Sequence, residues 1–177
     1  NGTIDVYVGN SSIVQGSRTF ELSVTDTADP GLTPVGLQRT DIMIGGSVRM
    51  TSLGGELAGL VSNVNSSIPS ALSTLDGVAA QLISDVNALH ATGEDLDDNA
   101  GGAFFSGTTA ATISVEAAIV ADPRTIAAAA PGSGIRDGEI ALGIAELRNS
   151  TTGADSLYES FSVSLGLATS SLQRRSS

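Results

Sequence analysis

The chain has 177 residues, no cysteine and no lysine; its eight basic residues are all arginine, and 19 acidic residues set the formal net charge at −11. These counts exclude disulfides, thiolate nucleophiles and metal sites, Schiff-base chemistry and the lysine-bearing phosphate loop. The negative charge opposes nucleic acid or an anionic membrane surface as a partner. With no Trp, two Tyr and four Phe, the core must be aliphatic and alanine-rich, which suits helices whose backbones approach closely. No apolar run approaches the roughly 18 residues of a membrane span, and the residues from Asn1 onward do not read as a signal peptide.

Residues 1–50 carry the period-2 signature of strands. Ile4, Val6 and Val8 alternate with Asp5 and Tyr7, Gly9 to Ser12 is turn material, and Ile13-Val14 opens a second strand. Arg18 to Val24 alternates again, with Phe20, Leu22 and Val24 on one face, and Asp29-Pro30-Gly31 interrupts it. Val35 to Arg39, Ile42 to Ile44 and Ser47 to Met50 are further short strands, the last two joined by a Gly45-Gly46 hairpin turn. This small antiparallel unit has too few apolar residues to stand comfortably alone, and reads as part of a larger β domain.

The period then changes. From Leu57 through Val61, Val64, Ile68, Leu72, Leu75, Ala79, Leu82 and Val86 to Leu89, apolar residues recur every three or four positions. The spacing predicts one helix over 55–91, rod-like at on the order of 55 Å. Pro69 predicts a kink rather than a break, because the stripe keeps its phase across it. Gly93 is expected to end the helix with positive φ. A Gly-rich loop follows over 93–112, anchored by Phe104 and Phe105, and Ile113 to Val115 is extended. Asp122-Pro123 predicts a helix continuing through Ile126 and Ala127 to Ala130, stopped by Pro131-Gly132. Asp137 caps a helix over 138–148. A final helix carries Leu157, Phe161, Leu165, Ala168 and Leu172 and is expected to pack against the long one through Leu75, Leu82, Phe161 and Leu165.

The fold class is therefore mainly α with a small β unit: residues 1–50 form the β unit and residues 51–177 a helical domain. Candidate chemistry is thin. His90 is the single histidine, and a histidine at a helix C-terminus usually serves as a cap or dipole partner. No G-x-S-x-G elbow occurs. The acidic run at Glu94, Asp95, Asp97 and Asp98 fails as a calcium loop, since Ala100 stands where glycine is needed and Ser106 where a bidentate glutamate is needed. The residues show no catalytic, cofactor-binding or metal site.

Three segments carry a resemblance: Gly54 to Leu60, Leu75 to Ala79, and Val86 to Leu96, continued by Asn99 to Phe105. Together with Asp122 to Ala128, Gly138 to Leu147 and Leu157 to Phe161, they resemble the flagellar hook-associated protein FlgK family. The similarity covers about residues 50–165 and is most specific over Asn87, His90, Gly93, Asp95, Leu96, Phe104 and Phe105, with Leu57 at its start. Asp98 departs from the glycine usual there, as Val61-Ser62-Asn63 departs from the usual basic, polar helix start. The resemblance implies a non-enzymatic structural subunit, exported to the extracellular flagellum, without cofactor. It joins hook to filament among other axial proteins: the hook protein, a second junction protein and its own copies. It also implies terminal helical segments that this sequence does not contain, so that the chain reads as a fragment, monomeric on its own. A flagellin-like axial protein and an unrelated secreted binding module are the alternatives.

Overall fold

The computed structural model describes residues 4–29, 31, 32, 34 and 36–176, without the side chains at 172, 173, 175 and 176. Pro30, Val35 and the Leu172 side chain, invoked above, lie outside the described residues. In chain order the elements are β1 (Val6–Val8), β2 (Ser11–Gln15), β3 (Arg18–Thr19), β4 (Leu22–Ala28), β5 (Gln38–Ile44) and β6 (Val48–Arg49). Then come α1 (Gly55–Ser62), a π-helical turn (Asn63–Ser67), α2 (Ile68–His90), β7 (Phe105–Ser106), β8 (Ser114–Val115), α3 (Ala117–Ala121), α4 (Glu139–Glu146) and α5 (Ala154–Ser176). The chain is mainly helical with small antiparallel sheets. It gathers into two compact units, Asn1–Ser73 and Thr74–Ser177, so that residues 51–73 group with the strands.

In the first unit the strands form two three-stranded antiparallel sheets, β1-β2-β3 and β4-β5-β6. The alternation expected as one strand over 18–24 is divided between them: Phe20 donates its N–H to Ile13 O on the first sheet, and Glu21 O accepts from Gly45 on the second. The Gly45-Gly46 turn forms as expected, with φ of 57° and 73°, left-handed values that glycine adopts freely. Residues expected as two strands within 35–44 make the single strand β5. Among the described residues of this unit, Ile42, Met50 and Pro69 are buried.

The π-helical turn explains how a helix passes a proline. Pro69 has no N–H and its ring crowds the carbonyl four residues back, that of Asn65. Widening the preceding turn relieves both: Ile68 N–H bonds Asn63 O, five residues earlier. The extra residue advances the helix face by about 100°. The apolar stripe therefore does not keep its phase across Pro69, and Val64, Ile68 and Leu72 are exposed. The same turn presents Asn65 to β5. Its carboxamide accepts from Thr40 N–H at 2.8 Å and donates to Thr40 O at 2.7 Å, as a neighbouring strand would.

In the second unit the buried side chains are Ala79, Val86, His90, Asp95, Ile119, Ala127 and Ala129. The segment Ala127 to Ala130 is extended, not helical as its alanine content predicts. Three N–H groups along it have tertiary acceptors: His90 for Ala127, Glu94 O for Ala129 and the Asp137 carboxylate for Ala130, while Ala128 O takes two N–H groups from α4. These bonds outweigh a helix propensity worth only tenths of a kcal/mol per residue. The Pro123–Thr125 stretch is one 3-10 turn, with Asp122 accepting from Arg124 N–H. Asp137 bonds Glu139 N–H at the start of α4 as expected.

The packing expected between α2 and α5 needs correction. The two helices flank an open groove lined by Gly77, Val78, Leu157 and Phe161. Leu75 and Phe161 are half-buried, but Leu82 is 36% and Leu165 52% exposed. Each expected contact needs a large apolar side chain opposite it. The groove instead brings together the small side chains of Thr74, Ser160 and Ser164 with Gly77, and Leu82 lines a separate depression with Ile144 and Leu147. Leu57, at the start of the stripe, is half-buried on α1.

Candidate functional site

The most heavily cross-bonded part of the molecule is the C-terminal end of α2. Asn87 and His90 lie three apart, on one face of the last turn. The Asn87 oxygen accepts from Phe104 N–H and Phe105 N–H, both at 2.8 Å, and its amide donates to Phe105 O at 2.9 Å. His90, 1% exposed, lies 2.8 Å through Nδ1 from Gly102 O, while Nε2 is 2.9 Å from Ala127 N. The Ala127 N–H can only donate, so Nε2 accepts and the proton sits on Nδ1, donated to Gly102 O. The imidazole also meets the Phe104 ring edge-on at 5.3 Å, and Phe104 meets Phe105 in the same way at 4.9 Å. His90 is therefore a buried connector between two loops rather than the helix cap expected from its position.

The glycines here are fixed by closeness. Gly93 does not take positive φ, contrary to expectation; a Cβ there would come within about 3 Å of Ala127 O, Ala129 O and the Ile140 side chain. At Gly101 a Cβ would lie 2.1 Å from His90 O. The helix ends instead by tightening, with Thr92 N–H bonded to Leu89 O and Gly93 N–H to His90 O, three residues back.

Asp95, also buried, holds the next loop. Its Oδ1 accepts from Asp97 N–H at 2.8 Å and Asn99 N–H at 2.9 Å. The Asn99 N–H foremost, with the Asp97 N–H, the Asn99 amide and the Arg124 charge, holds its carboxyl below the ordinary aspartate value, against the opposing push of burial. Asp98 sits at φ 61°, in the left-handed region that aspartate, asparagine and glycine visit most readily. Leu96, 47% exposed, contributes its N–H to Arg124 O. Arg124 pairs with Asp97 at the surface.

This arrangement brings together Asn87, His90, Gly93, Asp95, Phe104 and Phe105, and leaves Leu57, Leu75, Leu82, Phe161 and Leu165 out of it. Gly101 and Ala127 also belong to it and carry no chemical signature in sequence, while Asp137, expected only as a helix cap, also accepts from Ala130 N–H. Among the described residues no three His, Asp or Glu side chains gather to hold a metal ion. The polar atoms of His90 are spent on backbone groups, and those of Asp95 on backbone N–H groups and the Asn99 side-chain amide. A family model described as the flagellar hook-associated protein FlgK helical domain matches residues 1–105. The chain belongs to the FlgK family of flagellar hook-associated proteins. The match takes in all six N-terminal strands and both long-helix segments, and it ends on Phe105, the residue gripped by Asn87. No curated protein matches the sequence. As a FlgK-family chain it is a structural protein of the flagellum and of motility. No described helix is long and apolar enough to cross a membrane.

Proposed function

We propose that this FlgK-family chain serves, within its full-length protein, as a junction subunit that joins the flagellar hook to the filament. It does so as an exported, extracellular, non-enzymatic part with hook protein, a second junction protein and its own copies as neighbours. The observation that carries this reading is the use of polar side chains at the end of α2. Asn87, His90 and Asp95 bond backbone atoms of their own unit, which makes a rigid connector. A part that joins two assemblies needs such internal cross-bonding more than it needs a reactive group.

The test is complementation. The full-length chain is expressed in a flagellated strain lacking its own hook–filament junction protein. Filaments should attach and swimming should return. If the cells export the chain but still shed flagellin into the medium and do not swim, the junction assignment is wrong.

A further inference from the structure

The π-helical turn at Asn63–Ser67 stands where the sequence pattern calls for uninterrupted α-helix. Leu57, Val61, Val64, Ile68 and Leu72 follow one another at helical spacing, and in an α-helix they would share one face. The extra residue of the turn splits them into two sets about 100° apart. Two features favour the turn. It relieves the crowding of the Asn65 carbonyl by the Pro69 ring, and it aims the Asn65 carboxamide at Thr40, whose N–H and C=O it takes together. Little else restrains the segment. α1 and the turn contain no buried residue, and no side chain caps the start of α1. The chain enters α1 through Gly54 and Gly55, the second at φ 60°, and a Cβ at either would meet nothing within 4 Å.

We propose that residues 55–67 are a two-register element latched by Asn65. In the register described, Asn65 holds Thr40 and the turn is π-helical. In the other the turn closes to α-helix, kinked at Pro69. Losing the extra residue rotates α1 by about 100° relative to the first turn of α2 and lengthens the helix by about 1.5 Å. The five apolar residues then form one stripe, and Asn65 is carried off Thr40. Pro69 and the two Asn65 bonds hold the free chain in the π register, while any contact that covers the whole stripe favours the other. The two effects are linked: loosening Asn65 makes the stripe easier to cover, and covering the stripe frees the Thr40 N–H.

Paired histidines report the register, because the chain has no cysteine and its single histidine is buried with both ring nitrogens bonded. In an α-helix, side chains three apart are neighbours and side chains five apart stand on different faces. A turn whose hydrogen bond spans five residues reverses this. Positions 62, 63, 66 and 67 are all exposed. The pair Ser62→His with Ser67→His should therefore bind zinc in the π register, and the pair Asn63→His with Ser66→His in the α register. With Asn65 and Pro69 in place, the pair five apart should bind zinc about tenfold more tightly than the pair three apart. Adding Asn65→Ala and Pro69→Ala together should reverse that order. Pro69→Ala alone should speed hydrogen exchange at the Thr40 amide, although it leaves Asn65 intact. Tighter zinc binding by the pair three apart, with Asn65 and Pro69 in place, would overturn the proposal. So would an order that survives both alanine substitutions in a chain that circular dichroism shows to be folded, or Thr40 protection that Pro69→Ala leaves unchanged.

Discussion

Polar side chains in α2 and α5 are used in opposite ways. At the end of α2, Asn87 and His90 bond residues 12 to 37 positions away and tie two separate segments to one helical turn. Along α5, Ser162, Ser164, Thr169, Ser170 and Ser171 all bond carbonyls three or four residues back in their own helix. The first kind of bond defines a tertiary structure. The second satisfies a hydroxyl without joining the helix to anything, and slightly weakens the helix that hosts it. The apolar residues follow suit: Val86 is buried beside the cross-bonded turn, while Val163, Leu165 and Leu167 on α5 are exposed.

The contrast breaks first at His90. His90→Ala should cost about 3–5 kcal/mol, because it leaves the buried Ala127 N–H without its acceptor, removes the bond to Gly102 O and opens a cavity. Urea unfolding measures this; a loss under about 1 kcal/mol would mean that the turn is not the anchor described here. Gly101→Ala should cost about 2–3 kcal/mol through overpacking against His90 O. Gly77→Ala, on the same helix with open space around it, should gain about 0.5–1 kcal/mol from helix propensity alone. Opposite signs for these two glycines would sharpen the comparison, and equal effects would erase it.

Acid provides an effect confined to low pH. The Asn99 N–H lowers the Asp95 carboxyl, and the Ala130 N–H, followed by the Glu139 N–H, lowers that of Asp137. A carboxyl lowered in the folded state contributes stability that is complete above the unfolded value of about 4 and is lost as pH falls through the folded value. Melting temperature should therefore fall on acidification below about pH 4. Asp95→Asn should melt lower than the unmodified chain at neutral pH, with the gap closing in acid. A gap that persists unchanged in acid would show that charge is not the cause. The smallest effect belongs to α5: Leu165→Ala should cost under about 1 kcal/mol, and Leu82→Ala, a third exposed, about 1–2 kcal/mol rather than the full core value.

The sequence by itself determined the element types wherever periodicity was long: strands before Met50, helix from Gly55 to His90, and a last helix over Ala154–Ser176. The family resemblance, most specific over Asn87 to Phe105, also singled out the end of α2. Only the tertiary structure decided what each residue there does. His90 bonds Gly102 and Ala127 because the Ala127–Ala130 stretch passes beneath the helix end as an extended segment, against its own propensity. Gly93 is required by the closeness of that stretch rather than by φ. The π-helical turn that changes the stripe's phase arises from a clash at Pro69 and is steadied by a bond to Thr40, 25 residues away. Periodicity is a local property and can be read along the chain. A hydrogen-bond partner or a close approach is a property of two distant segments at once, and neither segment carries the signal alone.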